Sequence, residues 1–109
     1  MRIYYKALDV VRSVVKLSRV VQDQDSDLAR QMRRACISVP LNIQEGLYSQ
    51  GGNRNARFYN AMGSARETMA CLHVSVAAAY LDQPEVDADL ERIDHVIGAL
   101  WKLSRRQSR

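Results

Sequence analysis

The apolar residues of the chain recur at the three- and four-residue spacing of α-helices in four successive stretches. These stretches cover residues 3–21, 28–47, 58–79 and 86–100. The connections between them are short, and no segment alternates apolar and polar residues in the manner of a β-strand. The pattern predicts an all-α fold in which a single domain, residues 1–109, forms an antiparallel up-down-up-down four-helix bundle.

The second stretch contains Pro40, which has no N–H to donate and crowds the preceding turn of a helix. The apolar spacing resumes at Ile43 and Leu47 without intervening turn residues. We therefore predict one helix with a kink at Pro40, in which the Cys36 carbonyl lacks its usual helical donor. The alternative is that this helix ends at Val39 and that a new helix begins after it.

Composition narrows the class of protein. The chain has 109 residues, of which 47% are hydrophobic, so it can form one core and is too apolar for a disordered protein. No run approaches the roughly 18 consecutive apolar residues of a membrane span, and the charged N-terminal stretch does not match a secretory signal. The two cysteines lie far apart in apolar surroundings, which indicates reduced core thiols. These features predict a soluble cytoplasmic domain without a membrane partner.

Two of the predicted helices also carry apolar or small residues opposite their core stripes. On the second helix these residues are Ile37, Leu41 and Tyr48. On the third helix, which has no charged residue from 68 to 81, they are Gly63, Ala70, Cys71, Val74 and Ala78. Scattered surface hydrophobes are common in monomers. Because two helices share the feature, we favour self-association, with these helices supplying the interfaces.

Residue patterns that support catalysis or metal binding are sparse. His73 and His95 have no partner at metal-ligand spacing, and neither cysteine belongs to a Cys-x-x-Cys pattern. Gly51 and Gly52 follow no strand and precede no Gly-Lys-Ser, so they predict a flexible loop rather than a phosphate-binding fingerprint. We therefore predict a protein that is not an enzyme and has no catalytic residue, metal site or cofactor.

Charge suggests an anionic partner. The formal net charge is +4, although six acids in residues 82–94 form what we interpret as the exposed start of the fourth helix. Three groups of arginines are candidates for nucleic-acid binding: Arg30, Arg33 and Arg34 on the second helix, Arg54 and Arg57 at the start of the third, and Arg105 and Arg106 in the tail. Such residues contact phosphates and bind largely independently of sequence. The alternative is a protein-interaction scaffold, in which Arg30, Arg33 and Arg34 pair with acids of residues 23–27 or of a neighbouring subunit.

The segment from residue 31 to 46 reads Gln-Met-Arg-Arg-Ala-Cys-Ile-Ser-Val-Pro-Leu-Asn-Ile-Gln-Glu-Gly. It resembles the signature of the four-helix-bundle proteins named for 23S rRNA intervening sequences, roughly Q-x-R-R-A-x-x-S-I-P-x-N-I-x-E-G. Residues 61–67, Ala-Met-Gly-Ser-Ala-Arg-Glu, are similar to that family's A-x-G-S-x-x-E segment. The opening Tyr-Tyr-Lys-Ala at residues 4–7 is similar to the family's aromatic start but lacks its usual tryptophan.

This resemblance covers essentially the whole chain and implies a ring-like homopentamer of antiparallel four-helix bundles. It also implies relatedness to the accessory variability determinant of diversity-generating retroelements, a basic pentamer that binds nucleic acid and a reverse transcriptase. The positions that match the family's common charged residues are Arg33, Arg34, Glu45 and Glu67, whereas the acidic block at residues 82–94 departs from the pattern. Besides other copies of this chain, the partners that the resemblance suggests are RNA or DNA and a reverse transcriptase.

Overall fold

A computed structural model describes residues 2–107, with side chains through residue 105, and contains four α-helices. They are α1 (Arg2–Gln22), α2 (Ser26–Leu47), α3 (Gly51–Ala77) and α4 (Gln83–Gln107). No strand occurs within the described residues, and the predicted all-α fold class is confirmed. The helices pack into an elongated bundle of 45 × 22 × 19 Å. Over that part of the chain, no helix is both long and apolar enough to cross a membrane.

Side chains at two helix starts supply hydrogen bonds that a helix terminus lacks. Asp25 caps α2, because its Oδ1 accepts a hydrogen bond from the Leu28 backbone N–H at 3.0 Å. Before α4, the Glu85 carboxylate accepts a hydrogen bond from the Asp82 backbone N–H at 2.9 Å, which is half of a capping box. These local contacts fix where α2 and α4 begin.

Contacts between α2 and α3 show that the two helices run antiparallel. The Ser64 hydroxyl donates to the Ser38 hydroxyl at 2.9 Å, and Arg57 Nε lies 3.0 Å from Glu45 Oε2. As residue numbers rise along α2, those of the contacting residues fall along α3. The beginning of α3 therefore lies beside the end of α2.

The helices α1 and α4 also run antiparallel, and their contact buries a carboxylate. Lys6 lies beside His95, whereas Ser13, later in α1, contacts Asp89, earlier in α4. Asp89 is only 1% exposed, so the sequence-based interpretation of all the early α4 acids as exposed is wrong at this position. Its carboxylate accepts hydrogen bonds from Ser13 Oγ at 2.5 Å and from Arg92 Nη1 at 3.1 Å. These partners make burial of the charge tolerable.

The core is formed by the predicted apolar stripes of all four helices. Its largest fully buried side chains include Phe58, Met32, Ile43, Met62, Leu72, Ile93, Leu100, Val14 and Val21. Pro40 is buried inside α2, which continues through it without interruption. The helix therefore does not end at Val39, whereas the kink at Pro40 stays a prediction.

Gly46 permits a close contact between α2 and α3. A Cβ added there would lie 2.6 Å from Cε1 of Phe58, whose ring is fully buried. We expect Gly46→Ala to lower the free energy of unfolding by about 1–3 kcal/mol, as overpacking a core does. Urea denaturation measures this change.

The matched control is Gly98→Ala in α4, where an added Cβ meets no atom within 4 Å. Because alanine favours helix over glycine, this variant should gain roughly 0.5–1 kcal/mol of stability. If both variants unfold at the same urea concentration, Gly46 is not needed for the α2–α3 contact.

Candidate assembly and nucleic-acid surfaces

The outer side of α2 carries three large apolar residues that the bundle leaves exposed to solvent. Ile37, Leu41 and Tyr48 are 42%, 59% and 82% exposed. Helical geometry places them on one line along α2, opposite the buried Val39. The structure thus brings these three predicted interface residues together, and we call their line the α2 face.

The predicted interface residues of α3 also lie outside the core. The exposed positions on this side of α3 and just after its end are Gly63, Ala70, Val74 and Ala78, which we call the α3 face. Cys71, which periodicity placed among them, is instead buried. Cys71 lies one turn before Ser75, whose hydroxyl contacts Met32 of α2. This side of α3 is therefore covered by α2.

A polar groove of about 360 Å³ separates the α2 face from the α3 face. Its lining residues are Gln31, Arg34, Ala35, Ser38, Ser64 and Glu67. Within it, Ser38 Oγ accepts hydrogen bonds from Ser64 Oγ and from the Asn42 amide, each at 2.9 Å. Every lining residue belongs to one of the two segments that carry the family resemblance. The sequence alone does not bring the two segments together, because periodicity gives no register between neighbouring helices.

The three arginines at the start of α2 do not form a single patch. Arg33 turns towards α1, where its Nη1 donates a hydrogen bond to Gln22 Oε1 at 3.0 Å. Arg30 lies 3.5 Å from Asp27, a pairing with the acids of residues 23–27 that the scaffold hypothesis anticipates. Arg34 is exposed and lines the polar groove. Arg33 therefore holds α1 and α2 together, whereas Arg30 and Arg34 stay on the outer surface.

The glycines predicted to lie in a flexible loop form the first turn of α3 instead. Gly51 has a φ of +59°, a conformation that residues with a side chain rarely adopt. An added Cβ at Gly52 would meet no atom within 4 Å. The connection from α2 is thus short, and the backbone at the start of α3 is open to solvent.

Arg54 and Arg57 flank this helix start. The Arg57–Glu45 ion pair is about half exposed, with side-chain exposures of 46% and 55%. The Arg54 guanidinium lies 5.1 Å from the ring centre of Phe58, and among the described residues its Nε has no hydrogen-bond partner. The Gln50 side chain makes no capping hydrogen bond, and the first turn of α3 contains no acid. The unpaired N–H groups of such a helix terminus favour an anion.

Antiparallel packing segregates charge along the bundle. One end, which we call the cationic end, carries Arg2, Lys6, Arg54, Arg57, Lys102 and Arg105. Arg105 stacks on Trp101 at 5.5 Å from the ring centre, and the side chain of Arg106 lies outside the described residues. The opposite end joins the α1–α2 and α3–α4 connections, where Tyr80 Oη donates to Asp25 at 3.5 Å. Most of the acids lie there, close to Arg30, Arg33 and Arg34 at the start of α2. The arginines predicted to bind nucleic acid are therefore divided between the two ends.

The cysteines and histidines offer little reactivity. Burial raises the pKa of the Cys36 thiol to about 11 and also raises the pKa of Cys71, which disfavours the nucleophilic thiolate. His73 is exposed, and His95 accepts a hydrogen bond at Nδ1 from Lys6. Within residues 2–105, no three His, Cys, Asp or Glu side chains are grouped to hold a metal ion.

Comparisons with known proteins agree with this architecture. A crystal structure of a protein of unknown function from the S23 ribosomal protein family of Bacteroides thetaiotaomicron VPI-5482 superposes with a TM-score of 0.87, covering 94% of this chain and 97% of that chain. The two sequences are 17% identical, so this likeness concerns the fold. No curated protein shows significant sequence similarity. The sequence profile of the 23S rRNA-intervening sequence protein family matches residues 1–102, and the chain belongs to that family.

Proposed function

We propose that this protein is a non-enzymatic homo-oligomer that assembles through the α2 and α3 faces and binds nucleic acid through its arginines. The observation that carries the proposal is the exposure of Ile37, Leu41 and Tyr48 on one line of α2. Large apolar side chains exposed on one side of a helix are typical of an interaction site. The α3 face, on the other side of the polar groove, consists mostly of small residues, which allow a close approach.

The placement of the two faces supports a closed ring. Because α2 and α3 occupy neighbouring corners of a four-helix bundle, their outer faces diverge by roughly a right angle. Contact between the α2 face of one copy and the α3 face of the next is heterologous, and repetition at that angle returns to the first copy after a few subunits. This geometry is compatible with the homopentamer that the family resemblance implies.

Assembly is tested by the mass of the full-length protein in solution. We expect size-exclusion chromatography with light scattering to give, at low micromolar concentration, a mass close to five times 12.4 kDa. Leu41→Glu should convert this species to the monomer, because it places a charge at the centre of the buried α2 face. Circular dichroism checks that the variant remains helical.

The matched control is Val20→Glu, since Val20 is 52% exposed and lies on α1, away from both faces. This variant should keep the parent mass. A parent protein of 12.4 kDa, or equal masses for the two variants, contradicts assembly through the α2 face.

For nucleic acid, the cationic end is the best-supported surface. It combines the uncapped start of α3 with Arg54 and Arg57 beside it and with Arg105 at the end of α4. Phosphate oxygens accept hydrogen bonds from both backbone N–H groups and arginines. In a ring whose axis follows the helices, all copies present their cationic ends on one side, which multiplies the phosphate contacts.

The ion pair of Arg57 with Glu45 allows a sharp test of this surface. An exposed pair is worth only about 0–1 kcal/mol, so a phosphate can replace the carboxylate at little cost. We expect Arg57→Gln to weaken the binding of single-stranded RNA and duplex DNA and to lower the salt slope by about one unit for each phosphate that is no longer neutralised. Glu45→Gln should strengthen binding, because it removes the competing carboxylate. Fluorescence anisotropy across a salt series measures both effects.

The matched control is Asp9→Asn, which makes the same charge change and releases Arg12 from a 2.8 Å ion pair on α1. Equal gains in affinity for Asp9→Asn and Glu45→Gln would attribute the effect to net charge alone. Unchanged binding by Arg57→Gln would remove the cationic end from the nucleic-acid surface.

The second candidate function is a protein-interaction scaffold, for example an accessory subunit of a reverse transcriptase. It is favoured by the hydrogen bond of Arg33 to Gln22, which gives Arg33 a structural role, and by the exposed ion pair of Arg30 with Asp27. The double variant Arg30→Glu/Arg34→Glu separates the two candidates. Dissociation of the oligomer would assign the arginines to subunit interfaces, whereas weaker RNA binding by an intact oligomer would assign them to phosphate contacts.

A further inference from the structure

A second groove, of about 340 Å³, lies between α1 and α4 at the cationic end, away from the α2 and α3 faces. Its floor is apolar and consists of Ile3, Val96, Ala99 and Leu103. Its rim carries Arg2, Lys6, His95 and Lys102. Among the described residues that line it, none is a carboxylate. The groove therefore pairs an apolar floor with a rim that carries three cations, Arg2, Lys6 and Lys102.

Every polar side chain on this rim is a hydrogen-bond donor. Lys6 Nζ lies 3.1 Å from His95 Nδ1, and an ammonium group has no lone pair to offer. Nδ1 is therefore the acceptor in this contact, which leaves Nε2 to donate. A neighbouring depression shares these two residues and adds one acid, Glu91, and one further cation, Arg92. The rim itself selects a ligand that only accepts hydrogen bonds.

We propose that the α1–α4 groove binds a small organic carboxylate whose apolar body covers the floor and whose carboxylate contacts Lys6 and Lys102. The volume lies in the lower range of small-molecule sites. Contact with an apolar floor favours a hydrocarbon or aromatic body, and charge-assisted hydrogen bonds hold the carboxylate. A sugar-phosphate backbone has no comparable apolar part, so it does not fill the floor of this groove, although Arg2, Lys6 and Lys102 belong both to its rim and to the cationic end. Binding in the groove does not depend on assembly.

The probe for this site is decanoate, added to the full-length protein with carbon-13-labelled methyl groups. We expect saturable shifts of the methyl signals of Ile3, Val96 and Leu103. Decyltrimethylammonium, which has an alkyl chain of similar length and the opposite charge, should leave these signals unchanged. Shifts confined to the α2 face, or equal shifts with the cationic probe, overturn the proposal.

Variants test the two parts of the groove separately. Lys6→Glu and Lys102→Glu should each weaken decanoate binding by at least about tenfold, because each removes an attraction and adds a repulsion. Ala99→Leu should abolish binding without a change in charge, because it fills the floor. The control is Lys16→Glu, which makes the same charge reversal at an exposed position of α1 outside the groove and should retain parent affinity.

Anionic phosphatidylglycerol vesicles form the last arm of the experiment. Free decanoate binding without vesicle binding is the result that we expect. A different result would overturn the proposal: the protein binds vesicles, Lys6→Glu weakens that binding, and decanoate shifts no methyl signal. These cations would then be assigned to a lipid surface. Parent-like affinity for decanoate in both Lys6→Glu and Ala99→Leu would also overturn the proposal.

Discussion

The close packing of α2 against α3 is the constraint on which the rest of the surface depends. The absence of a side chain at Gly46 admits the ring of Phe58, and the Ser38 and Ser64 hydroxyls meet farther along the same contact. Each of the two helices buries one side against the other helix and against the core. The side that points away from the core is therefore left facing solvent. The α2 face, the α3 face and the polar groove between them are thus consequences of one helix register.

The same antiparallel packing determines how charge is distributed in space. In the sequence, the basic and acidic residues form successive blocks, with most acids of the C-terminal half in residues 82–94. Folding brings Arg2, Lys102 and Arg57 to one end of a 45 Å bundle although they are distant in the chain. Their mutual repulsion is moderate because the end is exposed and screened by salt. An anionic ligand relieves that repulsion and neutralises several cations at once.

Periodicity predicted the features that depend on a residue's angle about its own helix axis. The core positions of Phe58 and Leu72 and the outer positions of Leu41 and Val74 are of this kind. Cys71 was misplaced because its burial depends on how closely α2 approaches. The buried Asp89 accepts a hydrogen bond from Ser13 on α1, and Arg33 is directed towards α1 by its hydrogen bond to Gln22. Such cross-helix contacts cannot be predicted without the register, although the family motifs marked both helices that define the polar groove.

The contacts of the arginines within the bundle distinguish two roles for the same side chain. Arg33 reaches α1 through hydrogen bonds to Ser18 and Gln22, so its removal takes away two hydrogen bonds between these helices. The contact of Arg57 with Glu45 is exposed, and water, salt or phosphate can replace the carboxylate. An internal partner therefore does not exclude a ligand when the pair is exposed. Arg57 at the start of α3 can therefore exchange Glu45 for a ligand, whereas Arg33 stabilises the contact between α1 and α2.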